Sequence, residues 1–221
     1  MNLNNARKHF PLIIEQAHRN FDNIITEHPG MIEVVENAAV ELVDIKMARV
    51  SKLIILRKII DKFNDIIYSY TACSKGCSSC CYMATLTFSI EVEEIGIRVG
   101  KKPKPFKGIF KNIDDATLTK VQDEIQGIPC TFLKDNQCSI YDIRPLACRL
   151  HHNLSEVSFM CDTSLKSEDT CIPKIDFPQF TFAMVVMLSG DGTKMGDIRE
   201  AFPTSAKSIY QIGDNHVNNK M

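Results

Sequence analysis

Nine cysteines are the residues of this 221-residue chain best able to do chemistry, and they are unevenly spread. Cys73, Cys77, Cys80 and Cys81 form a C-x3-C-x2-C-C group inside TACSKGCSSCC. Cys130, Cys138, Cys148, Cys161 and Cys171 follow, and none lies before Cys73 or after Cys171. Thiolates three and four residues apart on a tight loop can converge on one point. Gly76 and the serines around it let backbone pass close to a metal and offer N–H groups to sulfur. That suits an iron–sulfur cluster or a zinc site. An odd number of cysteines cannot pair fully into disulfides, and a clustered set in a reducing compartment points to metal.

Cys130, Cys138, Cys148 and Cys161 are too widely spaced for a single loop. A hairpin, a helix start and a following segment would have to carry them. One buried cysteine alone is ordinarily inert; the whole set argues for metal. Neighbours in an extended segment point to opposite sides. Cys80 and Cys81 are therefore expected not to share one ion, leaving one for a second centre or for the core. Eight thiolates divide into two zinc sites, one cluster with cysteines left over, or two clusters. Loops rich in serine and glycine offer donors to bridging sulfide, and only one C-x2-C knuckle exists, Cys77 to Cys80, where zinc sites commonly show two. The reading taken is an iron–sulfur cluster, 4Fe-4S in type, with zinc as the alternative. Cys171 is expected to matter least.

Around the thiols, Arg144 and Arg149 flank Cys148 and could offset the charge of a thiolate-bound centre. Tyr141 is expected to pack on the hairpin and send its hydroxyl to a buried acceptor. His151 and His152 read as polar surface residues before ligands. Glu91, Glu93 and Glu94 read as an exposed helix face. Lys101, Lys102, Lys104, Lys107 and Lys111, interleaved with Phe106 and Phe110, read as a solvated loop. GDGTKMG, from Gly190, lacks the ending of a phosphate-binding loop.

Two segments carry a resemblance: CSKGCSSCC, Cys73 to Cys81, and PCTFLKDNQCSIYDIRPLACR, Pro129 to Arg149. Together they resemble the YkgJ-type cysteine-cluster family, whose pattern joins a C-x2/3-C-x2-C-C group to P-C-x-F-L and C-x-I-Y-x-x-R-P-x-x-C-R. The likeness spans roughly residues 70 to 165. It implies a zinc- or iron-chelating centre held by Cys73, Cys77, Cys80, Cys81, Cys130, Cys138 and Cys148, with Cys161 in the place of one further family cysteine. Members commonly have an aromatic–proline pair soon after the C-R; this chain has His151-His152, which leaves open whether a histidine joins the metal. Relatives include a flagellin lysine N-methylase, so an S-adenosylmethionine-dependent protein-modifying enzyme is a third reading. The spacing of Cys73, Cys77 and Cys80 also occurs in radical S-adenosylmethionine enzymes. Those usually carry an aromatic residue where Ser79 stands, and build repeated strand–helix units that the residues after Cys81 do not show.

The elements that must position these residues are mostly helical. A first amphipathic stretch runs from about Asn5 to Thr26 and stops near Pro29-Gly30. A second starts near Met31 and runs toward Tyr70, long enough that a break is expected. Leu56, Ile59, Ile60, Phe63, Ile67 and Tyr70 share one helix face, with Arg57, Lys58, Asp61, Lys62 and Asp65 on the wet back. MATLTF reads as a strand, SIEVEEIGIRVG as a helix ending near Gly100, and DDATLTKVQDEI as another. IPCTFL and QCSIY around Lys134-Asp135-Asn136 read as a hairpin. Pro145 opens a short helix through Cys148 and Leu150. FTFAMVVMLSG and a segment near Asp197 to Phe202 read as helices, followed by a polar tail.

The expected fold is α+β and mainly helical: a helical N-terminal part (1–70) packed on a cysteine-rich core with a short β-hairpin (71–175), then a C-terminal helix and tail (176–221), one compact domain overall. Composition narrows the function classes. Hydrophobic residues make up 44% and charged residues 24%, ordinary for a globule. The net charge of −1 supplies no positive field for nucleic acid. The start of the chain has too short an apolar island for a secretory leader, and no run is long enough to span a membrane. A cytoplasmic address, no membrane and an unidentified protein partner are the expectations.

Overall fold

The computed structural model describes residues 3–74, 76–106, 124–163, 172–188 and 194–204. Cys171, Lys107, Phe110, Lys111, most of DDATLTKVQDEI, most of GDGTKMG and the polar tail lie outside them. The N-terminal part is three helices: α1 (Leu3–Glu27), α2 (Met31–Asp44) and α3 (Arg49–Ile67). The expected break in the second stretch falls at residues 45–48, where Ile45 and Ala48 turn to extended backbone. Then come β1 (Leu86–Phe88), α4 (Ser89–Val99), β2 (Leu133–Lys134), β3 (Gln137–Cys138), α5 (Leu146–Leu150), α6 (Pro178–Leu188), β4 (Met195–Asp197) and α7 (Ile198–Ala201). Short 3-10 turns at Tyr68–Tyr70, Ser79–Tyr82, Tyr141–Ile143 and Ser158–Cys161 connect them. The architecture is α+β and mainly helical.

α3 is the axis of the larger core. Its Leu53, Leu56, Ile60, Phe63 and Ile67 are buried at helical spacing and meet Ile24, Ala39, Leu42, Leu146, Phe177, Phe180 and Leu188. Each such side chain contributes roughly 1.5–3 kcal/mol by leaving water. Phe63 and Phe177 stack edge to face, centroids 4.8 Å apart. α6 is apolar on all sides, so Phe180, Ala183 and Leu188 face inward while Phe182 stays 69% exposed. Glu36 of α2 accepts the Phe180 N–H near the start of α6, where carboxylates are favoured.

A smaller core under the hairpin joins Val92, Ile95, Phe106, Phe132, Ile140, Ile198 and Phe202. Here β1 and β4 pair antiparallel, Leu86 opposite Asp197. At Gly196 an added Cβ would lie 2.3 Å from the Phe106 ring, so a side chain there would evict the phenylalanine. The β2–β3 hairpin turns through Asp135 (φ 48°) and Asn136 (φ 58°). Two consecutive left-handed residues are what a tight two-residue hairpin loop requires, and Asp and Asn tolerate them best.

Three readings of polarity are corrected by the packing. Arg57 and Asp61 do not lie on a wet back: Arg57 is buried and pairs with Glu94, and half-buried Asp61 pairs with Arg149. Glu91 is 1% exposed rather than on a solvent face. Its carboxylate accepts the Phe88 N–H at 3.1 Å and the Leu146 N–H at 2.8 Å, bolting α4 to the start of α5. Glu93 alone of the three acids stays exposed. His152 is inside, 1% exposed, and His151 is partly covered, with its Nε2 shut off from solvent. In each case another element covers the polar face, which periodicity within one helix cannot reveal. Among the described residues no helix is long and apolar enough to cross a membrane.

Candidate metal centre

The first cysteine group sits on a loop that closes into a 3-10 turn. Cys77 N–H donates to Ser74 O (3.0 Å), Cys81 N–H to Ser78 O (2.9 Å) and Met83 N–H to Cys80 O (3.2 Å). Cys80 and Cys81 are thus in a tight turn, not the extended segment expected, and neighbouring thiols are not thrown to opposite sides. The Cys81 thiol donates to Cys80. The hairpin brings Cys130 and Cys138, with Cys138 opposite Leu133. α5 presents Cys148, and the turn Ser158–Cys161 brings Cys161.

These pieces enclose one cavity of about 80 Å³. Cys73, Cys77, Cys80, Cys81, Cys130, Cys138, Cys148 and Cys161 all line it, with Tyr141, Arg144, Arg149 and His151. Their charges bear on one another across the cavity. Cys161 interacts with Cys73, Cys77 and Cys80; Cys148 and Cys81 each interact with Cys80, Cys130 and Cys138. Cys80 bears on all three of these thiols, Cys161, Cys148 and Cys81. Among the described residues no three Cys, His, Asp or Glu side chains are grouped as a single bare ion would need.

Many of these thiols have a donor aimed at sulfur. The Asn153 N–H reaches Cys73, the Phe132 N–H reaches Cys130 and the Ile140 N–H reaches Cys138. The Thr85 hydroxyl reaches Cys148, and Asn153 Nδ2 lies 3.5 Å from Cys161 Sγ. Such donors stabilise thiolate charge and set ligand direction. Burial works against them. It pushes the Cys73 thiol up to about 11 and Cys161 up to about 12, and raises Cys130, Cys138 and Cys148. Cys80 goes the other way, down to about 7, because the Cys81 thiol donates to it and the Arg144 guanidinium faces it. Without a cation the cavity keeps most of its sulfurs protonated; with one, they can ionise.

The two arginines differ. Arg149 is spent on structure: it pairs with Asp61 and donates to Arg144 O (3.0 Å) and Asp142 O (2.6 Å), lashing the 141–149 segment to α3. Arg144 lies 3.8 Å over the Tyr141 ring and donates to Tyr68 Oη (3.0 Å), leaving its charge toward Cys80 and Cys138. Tyr141 finds its hydroxyl partner in Tyr68 Oη, 3.0 Å away.

Sequence reasoning passed over two positioning residues. Arg199, buried and ion-paired to Asp197, donates to the carbonyls of Cys81 (2.9 Å), Met83 (3.1 Å) and Ile128 (2.8 Å). It clamps the first cysteine group to the segment leading into Cys130, beside the bond from Cys130 N–H to Cys81 O at 2.7 Å. Asn153, fully buried, touches both Cys73 and Cys161 while its carbonyl accepts the Ala72 N–H at 3.0 Å. Neither lies near a cysteine in a recognisable pattern. The only local signal is Asp197 two residues before Arg199, a helix N-cap whose carboxylate accepts the Arg199 N–H.

Compared with known families, the chain matches the CxxCxxCC model, described as "Putative zinc- or iron-chelating domain", over residues 72–172. The match covers a little under half of the chain. The CxxCxxCC segment contains all nine cysteines and supplies every thiol that lines the cavity. The remainder of the chain contributes Asn64 and Tyr68 from the N-terminal side and Ile198 from the C-terminal side. No curated protein and no solved structure matches the chain significantly.

Proposed function

We propose that the chain binds an iron–sulfur cluster in the thiol-lined cavity and serves as a redox protein, in electron transfer, redox sensing or support of a modification reaction. The observation that carries this reading is the arrangement of the thiols: eight cysteines line one cavity. Eight cysteines exceed the four ligands that one closed zinc site takes, and backbone N–H groups aimed at Cys73, Cys130 and Cys138 suit a thiolate-bound cluster. The cavity volume of about 80 Å³ exceeds the ~10–15 Å³ that one water molecule needs.

Cys73, Cys77, Cys80, Cys81, Cys130, Cys138, Cys148 and Cys161 are the residues that would hold the group. When bound, the cluster supplies reversible one-electron chemistry. The chain's own residues do the rest. Arg144 offsets negative charge near Cys80 and Cys138. Phe132, Ile140 and Asn153 donate N–H bonds to sulfur. Apolar Ile140 and Ile198 wall off water. The cytoplasm is the proposed setting, since reduced thiols persist there.

Iron and acid-labile sulfide analysis with a visible spectrum, on anaerobically purified protein, tests this. Matching iron and sulfide with a colour that bleaches under dithionite is the expected outcome. Zinc without sulfide would replace the cluster with a closed structural site. A thermal-stability gain with S-adenosylmethionine would move the reading toward a modifying enzyme.

A further inference from the structure

The adjacent histidines after α5 are sorted to different places. His152 turns into the larger core, where its Nε2 accepts the Ile175 N–H at 2.7 Å and its ring lies 6.0 Å from that of Phe63. His151 turns toward the thiols and is part of the cavity wall. Its Nε2 is shut off from solvent and has no hydrogen-bond partner in the protein. A buried imidazole nitrogen without a partner forfeits the free energy of a hydrogen bond. The position recovers that loss if the nitrogen has something else to bind. Cys148 is on α5 and His151 is its C-cap, three residues on, the spacing that sets two side chains on one side of a helix end.

We infer that His151 Nε2 is a ligand of the metal centre in the cavity, so that one metal has mixed thiolate and imidazole coordination. The inference rests on the iron–sulfur reading above. Nε2 donates its lone pair to iron and the ring proton stays on Nδ1, so no proton is released at this ligand. Burial lowers the pKa of His151 and keeps the ring in the neutral form that can donate. A neutral nitrogen in place of a thiolate removes one negative charge from the centre, which makes it easier to reduce. The eight cavity cysteines then need not all be ligands of the same centre.

The test uses the full chain, purified anaerobically with 15N-labelled histidine, as wild type, His151→Ala, His151→Cys and His152→Gln. Iron and sulfide are measured, and the dithionite-reduced proteins are examined by pulsed electron paramagnetic resonance. A strongly coupled imidazole nitrogen is expected in wild type and His152→Gln. It should vanish in both variants at 151. His151→Cys, which restores a soft ligand, should keep its iron and show a lower reduction potential than wild type. Iron and sulfide without a coupled nitrogen in wild type would overturn this inference alone, as would a coupling that survives both substitutions at 151. Protein that takes up neither iron nor sulfide would overturn the parent reading and this one with it.

Discussion

Arg144 and Arg149 flank the same cysteine, yet the fold gives them different tasks. Arg149 is neutralised by Asp61 and anchors backbone, whereas Arg144 directs its charge at sulfur. Replacing Arg144 with Gln should raise the Cys80 thiol from about 7 toward the free value of ~8.5. The rate of alkylation of the metal-free protein against pH would read that shift, and an unchanged profile would remove Arg144 from the account. Glu91 shows what a buried carboxylate does without touching the site. Glu91→Ala strands the N–H groups of Phe88 and Leu146, each at a cost of ~1–3 kcal/mol. A loss of about 3 kcal/mol in urea unfolding is expected, and less for Glu91→Gln, whose carbonyl still accepts one bond.

Elements meet at the site through a few cross-links rather than long ladders. Among the described residues both sheets are two-stranded, and β2 and β3 hold two residues each. Arg199 on α7 does what a longer strand would do, joining three carbonyls on two separate segments. Arg199→Ala breaks a buried pair and leaves Asp197 uncompensated, a loss of about 3–5 kcal/mol. Arg199→Lys should recover little, because an ammonium cannot serve three divergent carbonyls and a carboxylate together. Chemical unfolding reads the first effect. Metal content per chain in both variants reads the second: it should fall with stability, since Cys81 and Cys130 lose their common tether.

At the scale of the molecule, the thiols link stability to pH and metal. An unfolded thiol ionises near ~8.5, whereas burial holds Cys73 to about 11 and Cys161 to about 12. Above the lower value the unfolded chain releases protons that the folded, metal-free chain retains. The contribution of Cys73 and Cys161 to the stability of the metal-free protein is therefore full below that value and is lost as pH rises through 11 to 12. Cys80, lowered to about 7, contributes in the opposite sense and loses its share as pH falls. With metal bound the thiols are already ionised, so this alkaline loss should disappear. Acid acts on the bound form instead, because protons compete with metal for sulfur. Melting temperatures from pH 7 to 11, with and without chelator, check both signs. Cys73→Ser and Cys148→Ser should each lose metal and lower the melting temperature of protein purified with metal. Full metal content in both would refute the ligand assignment.

Much of the scaffold was legible in the chain. The 3.6-residue spacing along α3, Gly100 closing α4, Asp135-Asn136 in the turn and Pro145 before α5 are local signals, set by backbone sterics and by burial of one helix face. The cysteine spacing likewise marked a chelating segment, because a loop's reach limits where its thiolates can converge. Which polar groups are inside was not local information. Glu91, Arg57, His151 and His152 read as surface residues because partners from elsewhere in the chain bury them: Leu146 for Glu91, Glu94 for Arg57, Ile175 for His152, and the cavity itself for His151. Arg199 and Asn153 were silent for the same reason, since their targets are backbone carbonyls and sulfurs far away in sequence. Residue type and spacing determined that the chain gathers thiols. Only the tertiary structure decided which charges, donors and imidazole face them, because desolvation depends on everything packed around a group and not on its neighbours in the chain.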